Sequence, residues 1–208
     1  MSAIAPPCGF TFTCEPDPAH DHAANALSGF WLFMMSDLVI FALVFATYVT
    51  MLMPVSSAHG PTPKALFELP GAALETAVLL TSTFTFAMAS LAIKYGRGRT
   101  QSLFWLLLTL ALGVSFLGLE VREFTRMLAA GAVPQRSGFL TAFFARVPLH
   151  GLHVLAGSIW LALLLIEILR GGLTETVRSR LARLALFWHF LDLIWVGIFS
   201  VVYLGGRA

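Results

Sequence analysis

Charge is what this chain has least of. Only 12% of its 208 residues are Asp, Glu, Lys or Arg, against about 25% in an ordinary soluble domain. That shortage leaves no room for a separate soluble domain. The formal net charge of +2 is too small and too dispersed for a nucleic-acid partner. Cysteine is almost absent: Cys8 and Cys14 are the only two, both in the N-terminal tail. CGFTFTCEPDPAHDH lacks the tight ligand pairs of a zinc site, so a metal or redox tail is the weaker reading. A disordered or extended tail over 1–27, rich in Pro and acid, is the preferred one. Those 27 residues hold no Lys or Arg and no apolar segment, so no signal peptide is expected. No internal repeat is visible.

Apolar side chains fill the space that charge vacates. They make up 58% of the chain, and the mean hydropathy is +0.82. A bilayer core takes about 20 apolar residues in a helix. Five segments reach that length: roughly Ser28–Met53, Gly71–Ile93, Ser102–Leu128, Phe139–Leu169 and Arg183–Gly205. The expected fold is all-α, a five-helix transmembrane domain over 28–208. Between the spans lie a Pro-rich first loop, the basic second loop KYGRGR, a third loop AAGAVPQRSG and a fourth, RGGLTETVRSRLAR. Five spans put the N-terminal tail on the side of loops two and four. That side carries Lys94, Arg97, Arg99, Arg170, Arg178, Arg180 and Arg183; the other carries Lys64, Arg126, Arg136 and Arg207. The positive-inside bias therefore predicts a cytoplasmic N-terminus and an external C-terminus.

Ionisable residues at membrane depth are costly, at least ~2.5 kcal/mol each when unpaired, and so should face protein. Asp37, Glu75, Glu120, Arg122, Glu123, Arg146, His150, His153, Glu167, His189 and Asp192 all fall in or near spans. At 100° per residue, Arg146, His150, His153 and Gly157 share a stripe of the fourth span. Glu120 and Glu123 share a face of the third, from which Arg122 points away; His189 and Asp192 share a face of the fifth. Helical rise sorts them by depth. Asp37, His153, His189 and Asp192 form an inner layer, and Glu75, Glu120, Glu123 and Arg146 an outer one. Arg146 is expected to pair with Glu120, Glu123 or Glu75.

Three chemistries suit such layers. His153 and His189 could hold a haem iron between facing helices, though only one such pair exists and Asp192 has its own use orienting His189. Buried carboxylates could relay protons or ions, though broken helices and repeats are not evident. Satisfied polar pairs could simply fix helix register and hold lipid or a neighbouring subunit, and on physics alone this is the favoured reading.

GFWLFMMSDLVIFALVFATY, FELPGAALETAVLL, FLGLEVREF, SGFLTAFFARVPLHGLHVLAGSIWL and LFWHFLDLIWVGIFSVVYL together resemble subunit III of the haem–copper terminal oxidases. The resemblance runs roughly from Gly29 to Gly205. Five spans instead of seven are most similar to the cytochrome bo-type ubiquinol oxidase branch; the cytochrome c oxidase branch usually has two further N-terminal helices. The resemblance implies a bundle with a V-shaped, phospholipid-holding cleft in a bacterial inner membrane. It implies contact mainly with subunit I, and with subunits II and IV. It further implies that haem and copper lie in subunit I, so that this chain binds no cofactor or metal and has no catalytic centre. The complex would oxidise ubiquinol, reduce dioxygen to water and pump protons, with subunit III sustaining proton uptake. By residue, Asp37, Glu75, Glu120, Glu123, His150, His153, His189 and Asp192 match polar positions of the family. Arg146 and Pro148 depart from the small or apolar residues usual there. On this view His189 and Asp192 join neighbouring helices, with Trp188 and Trp195 adding bulk and an indole N–H each, and Gly151 and Gly157 allowing close approach.

Overall fold

The computed structural model describes residues 18–51, 69–129 and 138–200. They form five helices: α1 Pro18–Met51, α2 Leu69–Lys94, α3 Arg99–Ala129, α4 Gly138–Gly171 and α5 Glu175–Ile198. Each is long and apolar enough to cross a membrane, over Ser28–Thr47, Gly71–Lys94, Arg99–Ala129, Val147–Gly171 and Glu175–Ile198. The expected all-α, five-span architecture is observed. Helix α1 starts at Pro18, inside the segment expected to be an extended tail. Cys8 and Cys14 lie outside the described residues.

One boundary departs clearly from expectation. The last span begins at Glu175 instead of Arg183, and the connection before it shrinks to 172–174. Local chemistry explains this. The Thr174 hydroxyl accepts a hydrogen bond from Val177 N–H at 3.3 Å, an N-cap that satisfies one orphan donor. Glu175 sits in the first turn, where a negative charge suits the helix dipole. Arg180 then makes a two-pronged contact with Glu167 of α4, at 3.0 and 2.9 Å. The basic residues that look like a loop are the first turns of a helix.

The α2–α3 link is equally short. Gly96 (φ 61°) and Gly98 (φ 95°) take left-handed conformations that a side chain would strain. Arg97 N–H returns to Ala92 C=O at 2.9 Å, closing the end of α2 as a Schellman turn does.

Helices α2, α3, α4 and α5 pack in a ring, each against the next, and α5 closes back on α2. Helix α1 lies outside this ring against α4 and, more lightly, α5. Its buried residues Met34, Asp37 and Phe41 recur at helical spacing on one stripe, while Leu32, Val39 and Leu43 face outward. The core of the ring is built from Phe86, Leu106, Phe116, Leu161, Leu184, Trp188 and Trp195. Small polar groups cross-link it. The Trp188 indole N–H donates to Ser82 Oγ at 3.1 Å, Trp195 N–H to Thr76 Oγ1 at 3.1 Å, and the Thr85 and Thr109 hydroxyls meet at 2.8 Å. Both tryptophans thus use their N–H across the α2–α5 interface, as anticipated.

Candidate functional site: buried ionisable groups of the bundle

Asp37 and His153 meet between α1 and α4, with Oδ1 and Nε2 3.1 Å apart. His153 Nδ1–H donates to Leu149 C=O one turn back at 2.7 Å. A neutral ring with hydrogen on Nδ1 presents a bare lone pair at Nε2. The contact with a carboxyl therefore holds one further proton, on Asp37 or on the ring, and the pair is neutral overall either way. That removes the charge the bilayer would penalise. Phe41, one turn beyond Asp37, covers the imidazole at a ring separation of 5.3 Å.

His150 has a different setting. It is fully buried, 5.1 Å from the Trp195 ring, 6.0 Å from Phe116 and 6.4 Å from Phe41. Neither ring nitrogen finds a hydrogen-bond partner among the described residues. Its three neighbours offer π faces and edges only.

The carboxylates of α2 and α3 gather toward the opposite end of the bundle from the two short loops. Glu75 and Glu120 are buried, at 4% and 7% exposure, and Glu75 lies close enough to both Glu120 and Glu123 for their charges to act on one another. Glu120 fits because α4 has a glycine where it crosses: a Cβ on Gly151 would lie 2.6 Å from both carboxyl oxygens. An apolar groove of about 370 Å³ runs between α3 and α4 with Glu120 at its floor. A second cavity, about 270 Å³, separates α2 from α3 and is lined by Glu75, Glu123, Arg122 and Arg126. The expected outer cluster of acids is therefore present. Arg122, expected to point away from Glu123, reaches the same cavity because both side chains are long. The Arg146 side chain lies outside the described set, and so does its expected ion pair.

The inner layer is divided. His189 and Asp192 do not join Asp37 and His153; they sit on the side of α5 that meets α2, beside Phe86 and Thr83. Asp192 is buried, whereas His189 is exposed and turns its Nδ1 back to Ala185 C=O at 2.7 Å. His189 is therefore not the cross-helix tie expected of it. Its only hydrogen bond among the described residues is to its own helix. The Asp192 Oδ1 likewise finds no partner there. His153 and His189 do not face one another as a haem pair, since both Nδ1 atoms are turned into their own helices and His153 Nε2 is engaged by Asp37.

A further glycine contact escaped the sequence reading. Gly113 of α3 lies flat against the Trp188 ring, with an imagined Cβ 2.8 Å from its edge. A single glycine in an apolar helix gives no signal of the indole it faces.

Five membrane-length helices around satisfied and half-satisfied polar groups define a polytopic membrane protein of the helix-bundle class. Its kin are specific. The chain belongs to the cytochrome c oxidase subunit III family, whose model matches residues 19–207. It is 46% identical over 192 residues to the cytochrome bo(3) ubiquinol oxidase subunit 3 of Pseudomonas aeruginosa, covering 92% of this chain and 90% of that one. It is 38% identical over 185 residues to the protein of the same name from Buchnera aphidicola, covering 89% and 94%. It is also 38% identical over 191 residues to a probable quinol oxidase subunit 3 of Staphylococcus aureus, covering 91% and 92%.

Proposed function

We propose that the chain is the third subunit of a proton-pumping ubiquinol oxidase in a bacterial inner membrane, with its N-terminus cytoplasmic and its C-terminus periplasmic. It has no catalytic centre of its own. It packs against subunit I, which holds the haem and copper, and neighbours subunits II and IV. Its work is to stabilise subunit I, hold phospholipid and sustain proton uptake while the complex oxidises ubiquinol and reduces dioxygen to water. The observation that carries this reading is the 46% identity to a ubiquinol oxidase subunit 3 across all five spans. The wide outward face of α1, with Leu32, Val39 and Leu43, offers apolar surface for a neighbouring helix or acyl chains.

The test is composition. The chain, tagged and gently solubilised from its own membrane, should bring with it haem, copper and three further polypeptides, and the preparation should consume oxygen with ubiquinol. Oxygen consumption with reduced cytochrome c alone would shift the reading to the cytochrome c oxidase branch. A haem-free preparation of the chain by itself would replace it with a stand-alone transporter or assembly factor.

A further inference from the structure

His189 stands on an exposed face of α5. Ala182, Leu193 and Val196 share that side of the helix at helical spacing, and all three are exposed. Leu80 and Phe84, also exposed, continue the surface on α2. Apart from its centre the patch is apolar. At 1.5 Å per residue α5 is about 36 Å long, and His189 lies about 21 Å from its start. However a hydrocarbon core of about 30 Å is set along α5, the imidazole is at least about 9 Å inside it. Its Nδ1–H donates to Ala185 C=O at 2.7 Å, so the neutral ring turns a bare lone pair at Nε2 away from its own helix. Asp192 lies one turn further on. No Lys or Arg pairs with it among the described residues, and its Oδ1 finds no donor there. An acceptor nitrogen and an acid thus stand side by side at lipid depth, which is costly for both. Asp37 and His153 answer the same problem inside the bundle by meeting at 3.1 Å. His189 and Asp192 make no such contact among the described residues.

We propose that this face of α2 and α5 seats a transmembrane helix of another polypeptide of the complex, and that the seated helix brings a lysine or arginine to His189 and Asp192. A basic side chain has the N–H donors that Nε2 lacks and the positive charge that Asp192 lacks. The pairing serves the partner equally, because its own cation is as costly in hydrocarbon as the acid is. Acyl chains supply neither a donor nor a charge. A second copy of this chain, related by a two-fold axis, would bring another His189 and Asp192, acceptor against acceptor. Leu80, Phe84, Leu193 and Val196 give the seated helix apolar contact on either side of the polar centre. The inference rests on the membership of an oxidase complex proposed above. It goes beyond that reading by fixing one surface on which a partner sits and the side chain the partner presents there.

The experiment places photoreactive benzoylphenylalanine at Leu193 or Phe84 of the full chain, irradiates the native membrane and purifies the complex through a tag on this chain. Mass spectrometry should find each probe joined to one transmembrane peptide of a different polypeptide, with Lys or Arg within a turn of the joined residue. With the probe at Leu193, His189→Leu should lower that yield about tenfold, as the loss of one charge-assisted hydrogen bond would. His189→Gln, whose side-chain carbonyl accepts in place of Nε2, should restore most of it. Asp192→Asn should lower the yield as well, because the amide carries no charge. Since His189 is exposed, its replacement leaves the buried core as it is. Probes joined only to lipid, to a second copy of this chain, or to a helix with no basic residue there would overturn the assignment. So would the absence of any adduct, or yields indifferent to His189. Haem is measured in the same preparations. The expected adduct without haem would sink the oxidase reading and leave this surface standing, whereas haem with adducts to lipid alone would do the opposite.

Discussion

A methyl group added to Gly151 would lie 2.6 Å from both carboxyl oxygens of Glu120. The glycine and the acid are therefore one feature: α4 has no side chain at the point where α3 buries a carboxyl. Gly151→Ala should force the carboxyl out of its place and cost ~1–3 kcal/mol, the usual penalty of overpacking. Replacing Glu120 by Ala in the same chain should recover much of that loss, giving clear non-additivity between contacting sites. Thermal unfolding of the purified complex, single variants against double, is the check. Losses that simply add would mean the two residues do not compete for the same space.

Gly113 should be less forgiving. Its imagined Cβ lies 2.8 Å from Cη2 and 3.0 Å from Cζ2 of Trp188. That indole is fixed by its N–H bond to Ser82 and by packing on Phe86 at 6.1 Å. A carboxyl on a flexible stem can swing aside; a buried ring cannot. Gly113→Ala should therefore lower the unfolding temperature more than Gly151→Ala, with Trp188→Leu as the compensating partner. An equal or smaller effect at Gly113 would show that the indole moves.

These contacts mark how far sequence reasoning reaches. Apolar length alone located all five spans, because the bilayer imposes it on any helix that crosses. It misplaced the start of α5 because Arg178, Arg180 and Arg183 lower hydropathy without breaking a helix, and the Thr174 cap and Glu167 contact that sustain that end are not periodic signals. Depth arithmetic brought Asp37 and His153 to one level, and they meet at 3.1 Å. The same arithmetic placed His189 with them and failed. Helical angle says which way a residue points from its own axis, not which helix stands there, and the side of α5 bearing His189 meets α2 instead of α1 and α4. Gly151 allows the close approach expected of it, but nothing in the sequence says that Glu120 is what it admits; Gly113 gives no signal at all, because a glycine's effect lies in the neighbour it admits.

The positive-inside bias predicts an orientation from the cations at one end of the bundle. Lys94, Arg97, Arg99, Arg170, Arg178, Arg180 and Arg183 cluster around the two short connections at one end of the bundle. A reporter inserted within 172–174 should behave as cytoplasmic, and one fused after Ala208 as periplasmic. Protease accessibility of the same sites in sealed, right-side-out vesicles gives an independent reading. The reverse pattern would invert the bundle.

Asp37 offers the sharpest test of what the buried polar groups do. With Nδ1–H of His153 committed to Leu149, Nε2 needs a donor, and the carboxyl pair supplies one through its shared proton. Asparagine can supply the same bond from its amide N–H, so Asp37→Asn should assemble and hold its partners nearly as well as the parent. Asp37→Leu cannot, and leaving the imidazole unmatched should cost ~1–3 kcal/mol, seen as looser attachment of this chain during purification. Both variants should still move protons at near-normal stoichiometry in the first turnovers, because the redox centres proposed for subunit I are untouched. Their difference should emerge later, as a faster decline of activity with turnover number in Asp37→Leu. The measurement is protons per electron at early turnover beside the decay over many. An immediate loss of pumping in a fully assembled Asp37→Asn complex would make the proton shared with His153 part of the transport path. The pair would then be a relay, and its preservation as a hydrogen bond in the asparagine variant would no longer be enough.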